Sequence, residues 1–539
     1  MNPYVDRFLF IFQGGSMAKK EKILRLLPKR RKGILRIIFS RTFIIFILIL
    51  LQIDIFLSLY KWFSSLIPHY VAFQGVFSIG MVIFLTNKDM DYSAKLTWLT
   101  VIMLFPVPGT ILLWFTNKEI GHRTVNARIE YLKRETHGKL TQNEEILSEP
   151  EIIASGTAEI SRYINLTGCF PVYRNTAVKY FPIGEAKYAA LMEELEKAEQ
   201  FIFMEYFIID EGYMWGSILE VLARKAKLGV EIRVMYDGMC EISTLSHDYP
   251  ERMKKYGIKC KAFSPIQPFI STHYNYRDHR KILVIDGKVA FNGGVNLADE
   301  YINRVERFGH WKDTAVMIKG EAVRSFTLMF LQMWNITEKY PQWNQWLNYP
   351  YDEYPDSKGY VMPYADCPLD GYRVGETVYI DILYRARKYV YIMTPYLILD
   401  GELEAALKYA AQRGVDVRLI LPGIPDKRSA NALAHTHYYP LISAGVQIYE
   451  YTPGFVHAKV FVSDDCRAVV GTINLDYRSL YHHFECATYM DNTDCIPDIK
   501  EDFFLTLEKC RQIDKDAARK EKLSVKIRGG LMKLIAPLI

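Results

Sequence analysis

The sequence predicts an α/β protein in which one sandwich-like unit is duplicated, with a cleft between the copies, behind N-terminal transmembrane helices. Three observations carry this. A His-x-Lys pattern recurs at identical spacing, from Asp278 to Asn296 and again from Val456 to Asn474. Each copy follows a strand, a helix closed by glycine and an alternating Val/Ile strand. Three apolar stretches, Thr42 to Tyr60, Leu66 to Thr86 and Leu96 to Thr116, precede them.

Residues 1–41 form a basic N-terminal segment. Met17, after Gln-Gly-Gly-Ser, is an expected alternative start. Lys19 to Arg41 holds ten basic residues against one acid, Glu21, although the net charge of the 539-residue chain is only +6. Such a run suits anionic headgroups or the cytoplasmic end of a membrane helix. Residues 42–118 form the expected membrane region, since each stretch approaches the ~20 apolar residues that span a bilayer. The third carries Phe105-Pro106-Val107-Pro108-Gly109, which breaks a helix. Basic residues on both flanks then favour two spans plus a re-entrant segment and a cytoplasmic catalytic part. Three straight spans with an external catalytic part is the competing topology. Residues 119–155 read as helix and linker.

The first repeat, 156–345, shows a helical run from Ala186 to Glu199, the strand FIFMEYFII, a helix ending at Gly229 and the strand VEIRVMYD. After an aromatic, Pro-rich linker at 346–375, the second repeat, 376–512, gives YVYIMTPYLI, a helix ending at Gly414 and VDVRLILP. This order implies an α/β sandwich in each half. The basic, apolar tail at 513–539 reads as an amphipathic helix that lies on the membrane or packs on the domain.

Within each motif, His and Lys two apart share one strand face: His279 with Lys281, and His457 with Lys459. Asp286 and Asp464 follow at matching offsets. Then come Gly293-Gly294-x-Asn296 and Gly471-Thr472-x-Asn474. Two facing sets would surround one pocket with imidazoles, ammonium groups and amides, suited to phosphoryl transfer without a metal. Gly294, Thr472, Asn296 and Asn474 are assigned to substrate phosphate. Asp286 and Asp464 complete the catalytic motifs, but their place off the His-Lys face suggests a structural job there.

This double pattern resembles the phospholipase D superfamily. The phrases NYRDHRK, GGVNLADEYIN and FGHWKDT, then PGFVHAK, GTINLDYRS and HHFECA, look like bacterial cardiolipin synthases. The resemblance covers roughly residues 66–539. It implies pseudo-twofold symmetry and a phosphatidyl group passed between two phosphatidylglycerol molecules through phosphatidyl-histidine, releasing glycerol. It also implies His279 as nucleophile, His457 as acid and base, and Asp313 and Glu485 as the acids that orient them. No cofactor or metal is expected, because the eight cysteines lack zinc spacing. The expected partners are phosphatidylglycerol and anionic lipids of a bacterial cell membrane rather than nucleic acid, and a homo-oligomer is compatible with the sequence. A phospholipase D or phosphatidylserine synthase is the nearest competing activity, and a tethered nuclease a distant one. Other histidines, among them His310, His435, His437, His482 and His483, are read as channel or surface groups. Tyr206 and Tyr396 are read as cleft walls.

Overall fold

The computed structural model describes residues 67–104, 106–117, 123–264 and 276–538. Both repeats are built on one strand order. In the first half the strands are β1 (Ala177–Phe181), β2 (Phe201–Tyr206), β3 (Glu231–Asp237), β4 (Lys259–Phe263), β5 (Arg277–Asp278), β6 (Lys281–Ile285), β7 (Val289–Gly293), β8 (His310–Lys312) and β9 (Ala315–Lys319). Seven of them form a sheet in the order β1-β9-β7-β6-β2-β3-β4.

The second half supplies β10 (Tyr360–Asp366), β11 (Tyr389–Met393), β12 (Asp416–Pro422), β13 (Gln447–Tyr451), β14 (Gly454–Val456), β15 (Val460–Ser463), β16 (Arg467–Gly471), β17 (His483–Asp491) and β18 (Cys510–Ile513). Their order, β10-β17-β16-β15-β11-β12-β13-β18, repeats the first sheet and adds one edge strand. The expected strand-helix-strand units are present: helix Tyr213–Lys227 joins β2 to β3, and helix Gly401–Gln412 joins β11 to β12. Gly229 and Gly414 follow these helices at φ +93° and +96°, in the left-handed region where glycine carries no Cβ penalty.

Two short strands cross between the halves. β5 pairs in parallel with the start of β17, and β14 pairs in parallel with β8. Each His-Lys motif therefore begins on a strand seated against the other repeat. A buried apolar cluster also runs through both halves, joining Phe203 and Ile282 to Val390 and Val460.

Several expected boundaries change. The linker at 346–375 contains β10, fully buried and paired with β17 over seven residues. Pro363 obscures this strand in the sequence, yet an edge strand tolerates a missing N–H. The stretch at 119–155 is more than a linker, because Ile129, Leu132, Ile146 and Ile152 are buried in the shared core.

The expected membrane region is described only in part. Thr42 to Tyr60 lies outside the described residues. Ile67–Asn87 is a helix, and the third stretch divides into two helices, Tyr92–Leu104 and Pro106–Asn117. Leu85, Trp98, Ile102 and Leu113 of these helices form a small buried cluster. Among the described residues no helix is long and apolar enough to cross a membrane. The tail forms helix Leu523–Ile535 against helix Arg428–Ser443, and Thr97 Oγ1 donates to Leu534 O at 2.7 Å.

Candidate active site

The inter-repeat strand pairs set both imidazoles. His279 follows β5, and its backbone N–H donates to Phe484 O at 2.9 Å; His457 follows β14 and donates to Lys312 O at 2.7 Å. Each ring then meets a carboxylate from the opposite half. His279 Nδ1 lies 2.9 Å and 3.0 Å from the two oxygens of Glu485, and His457 Nδ1 lies 2.6 Å from Asp313 Oδ2. By sequence, Asp313 trails His279 and Glu485 trails His457, so the structure crosses the pairs that chain order suggests. Both carboxylates are inaccessible to solvent, and the two histidines are 7% and 8% exposed. With Nδ1 tied to an acid, Nε2 is the ring atom left for chemistry.

The carboxylates are seated differently. Thr472 Oγ1 donates to Glu485 Oε2. At the matching position Gly294 leaves room for Asp313, since a Cβ there would lie 2.0 Å from Asp313 Oδ1. Burial pushes the Glu485 carboxyl well above its ordinary range, against the pull of Lys281 and Thr472. Burial also acts on Asp313, but His457 and Lys459 overcome it and hold that carboxyl below its ordinary value. Burial, reinforced by the neighbouring lysines, lowers both imidazoles, His457 to about 4. Both rings are therefore neutral at pH 7, one beside an ionised acid and one beside an acid that resists ionisation.

Lys281 and Lys459 lie on the same faces as their histidines. Each Nζ donates to the carbonyl of its own motif histidine, at 2.5 Å for Lys281 and His279, and likewise for Lys459 and His457. Burial brings Lys281 down to about 8 and Lys459 to about 7, while Glu485 and Asp313 oppose the fall in both. An anionic phosphodiester between them would restore their charge.

Other expected residues take different jobs. Asp286 and Asp464, counted in the catalytic motifs, sit at the far ends of β6 and β15 and contact no imidazole. The Asp286 carboxylate accepts from Glu199 N, Gln200 N and Phe201 N at 2.7–2.8 Å. Asp464 accepts from Arg387 N, Lys388 N and Tyr389 N at 2.7–2.9 Å. Each pins the motif hairpin to the start of the neighbouring strand, the structural job that their place off the His-Lys face suggests, and neither takes the catalytic part its motif position implies.

Gly294 and Thr472 were expected at the phosphate, but their N–H groups are bonded to Thr314 O and Cys486 O at 3.0 Å and 2.9 Å. They support the orienting acids instead. Asn296 bridges Ile208 N and the Tyr301 hydroxyl, and Asn474 donates to Ser479 Oγ. Each amide retains a second N–H. Tyr206 is buried and its hydroxyl accepts from Lys187 Nζ, while the Tyr396 hydroxyl donates to Asp426.

Two residues at the rings escaped the sequence reading. His483, grouped with channel or surface histidines, is buried with its ring centroid 5.3 Å from that of His279. Trp311 lies 5.3 Å from His457 in the same way. Both precede an orienting acid by two positions on one strand face, and that parity was the available signal. Among the described residues, His279, His483 and Glu485 are the one group whose ligand atoms, within 4.8 Å of one another, could share a metal ion. Elsewhere, His435 meets Glu521 and His437 meets Glu404 at 2.6 Å and 2.8 Å, away from the motif rings.

The chain matches the family described as "Cardiolipin synthase, PLD-like domain" over residues 191–334 and 379–505. It is 33% identical to a cardiolipin synthase of Alkalihalophilus pseudofirmus, covering 86% of this chain and 92% of that one. A cardiolipin synthase of Halalkalibacterium halodurans is 32% identical, covering 93% of this chain and all of the other. An uncharacterized protein of Streptococcus mutans is 57% identical over 86% of this chain. The fold is shared with phosphatidylserine synthase of Haemophilus influenzae at a TM-score of 0.55 and 14% identity, over 71% of this chain and 97% of that chain. The duplicated motif, the crossed imidazole–carboxylate pairs and these relatives together place the chain in the cardiolipin synthase family of phospholipase D-like proteins.

Proposed function

We propose that this protein is a phosphatidyltransferase that makes cardiolipin and glycerol from two molecules of phosphatidylglycerol. The observation that carries the reading is the pair of buried imidazoles, each oriented through Nδ1 by a carboxylate of the other repeat and each flanked by a lysine. Burial keeps His279 neutral, and with its Nδ1 directed at Glu485 the Nε2 lone pair is the one available, which suits a nucleophile. Its Nε2 attacks phosphorus and forms phosphatidyl-histidine. The bound anionic phosphodiester and ionised Asp313 favour protonation of His457, so the ring takes up a proton as substrate binds and gives it from Nε2 to the departing glycerol oxygen. It then removes one from the hydroxyl of the second phosphatidylglycerol. Lys281, Lys459, Asn296 and Asn474 hold the phosphoryl oxygens.

A lipid acceptor requires the site to open at a membrane surface, and we place the protein at the bacterial cell membrane with its catalytic part on the cytoplasmic side. Apolar side chains exposed on the N-terminal helices, including Ile79, Ile83, Met103, Leu104 and Trp114, support lipid contact. The tail helix adds exposed Leu523, Ile527 and Leu531 beside Lys526 and Arg528.

The test is purified protein in detergent with labelled phosphatidylglycerol and no divalent metal. Cardiolipin and glycerol are expected from the wild type and from neither His279→Ala nor His457→Ala. Phosphatidic acid as the main product would overturn the transferase reading.

A further inference from the structure

His483 and Trp311 occupy corresponding places in the two halves. Each stands two residues before the acid that orients the motif histidine, His483 before Glu485 and Trp311 before Asp313. Each ring lies 5.3 Å from that histidine, inclined at 38° for His483 and 46° for Trp311. Each is buried, as is the histidine it flanks. Neither has a partner for its ring nitrogens: both nitrogens of His483 and Nε1 of Trp311 are buried without a hydrogen bond. Glu485 Oε1 lies 3.6 Å from His483 Nδ1, beyond bonding range, and Glu485 already serves His279 and Thr472. Leaving such a group unsatisfied costs free energy, so two at matching positions beside the reacting rings call for a ligand.

The chemistry of that ligand follows from the pair. An indole nitrogen only donates. His483 is kept neutral by burial and by Arg478, His482 and Lys281, and so offers one N–H. What both rings can bind is an acceptor oxygen. In a phosphoryl-transfer site, the acceptors beside the nucleophile and the acid are the non-bridging oxygens, on which negative charge gathers in the transition state. The backbone N–H groups of Gly294 and Thr472 are committed to the sheet, so they do not fill this role.

We propose that His483, with Trp311 as its counterpart, donates a hydrogen bond to a non-bridging oxygen of the substrate phosphodiester. The two rings thereby form a neutral oxyanion site between the motif lysines. This deepens the transferase reading and rests on it for the identity of the substrate.

The test uses the two phosphorothioate diastereomers of phosphatidylglycerol, scored by release of labelled glycerol whatever the acceptor. Sulfur accepts a hydrogen bond poorly, so the wild type discriminates between the diastereomers. In His483→Phe the rate on phosphatidylglycerol should fall ~10²-fold, mainly in kcat, and the diastereomer ratio should change several-fold. His483→Gln, which keeps an N–H, should recover part of both. Should the phenylalanine variant fail to fold, His483→Asn decides by the same ratio, because its shorter amide draws the donor away. An unchanged ratio in the folded variant would overturn the proposal, including the case where both diastereomers slow equally. A wild type that yields phosphatidic acid would refute the transferase reading while this test still stands.

Discussion

Asp313→Asn tests the crossed pairing. Asp313 accepts from His457 Nδ1 at 2.6 Å in a site closed to solvent, and it is held ionised there. A buried hydrogen bond to a charged group contributes ~1.5–3 kcal/mol, roughly 10- to 150-fold in rate. An asparagine amide would also favour the tautomer with the proton on Nε2, which cannot act as a base; in a Ser-His-Asp site that change costs ~10⁴-fold. A fall in kcat of ~10²- to 10⁴-fold on phosphatidylglycerol is therefore expected. The diagnostic substrate carries p-nitrophenol in place of glycerol, since this leaving group departs without a proton. With it, Asp313→Asn should give a burst of one p-nitrophenolate per site, because His279 still attacks, followed by slow turnover. Glu485→Gln should weaken the burst itself. Were the burst lost in Asp313→Asn and kept in Glu485→Gln, the assignment of acids to histidines would be refuted.

Asp286→Ala should strip three backbone N–H groups of their acceptor, costing ~2–4 kcal/mol and lowering the thermal midpoint by several degrees. The folded fraction should keep near-normal kcat; a large loss of kcat at an unchanged midpoint would return Asp286 to the chemistry. Gly294→Ala should displace Asp313 through a Cβ built 2.0 Å from Oδ1, cutting kcat ~10²-fold with the same p-nitrophenol burst as Asp313→Asn. For pH, Lys459 at about 7 and Lys281 at about 8 lose their protons as pH rises. Phosphodiester binding then weakens, so kcat/KM should fall above pH ~7–8, the range that reports free-enzyme groups. Lys459→Arg should move this falling limb upward, because a guanidinium stays charged. A flat profile to pH 10 would contradict the lowered lysines.

The halves of this protein are legible separately in its sequence, but their dependence on each other is not. The repeated spacing from His279 to Asn296 and from His457 to Asn474 exposes the duplication because side-chain alternation in strands is local. Glycine after each helix, at 229 and 414, is equally local. The crossing rests on β5 and β14, strands of two and three residues whose partners lie some two hundred and about one hundred and forty positions away. No window of sequence contains that pairing. The same blindness explains Gly294 and Thr472, whose N–H groups look available until the register of the adjoining strand is known. It explains β10 as well, whose proline hides an edge.

The crossing has a mechanistic consequence. A single repeat would hold a histidine and lysine without an orienting acid, together with an acid lacking its histidine. Reactive imidazoles therefore form only when both sheets have docked and β5 and β14 have found their partners. The duplication also frees the two sites to diverge, and they have done so around one framework. Thr472 faces Glu485 where Gly294 faces Asp313, and His483 flanks one ring where Trp311 flanks the other. A nucleophile and an acid need opposite proton affinities, and a near-symmetric scaffold supplies them through substitutions beside each ring rather than in the motifs themselves.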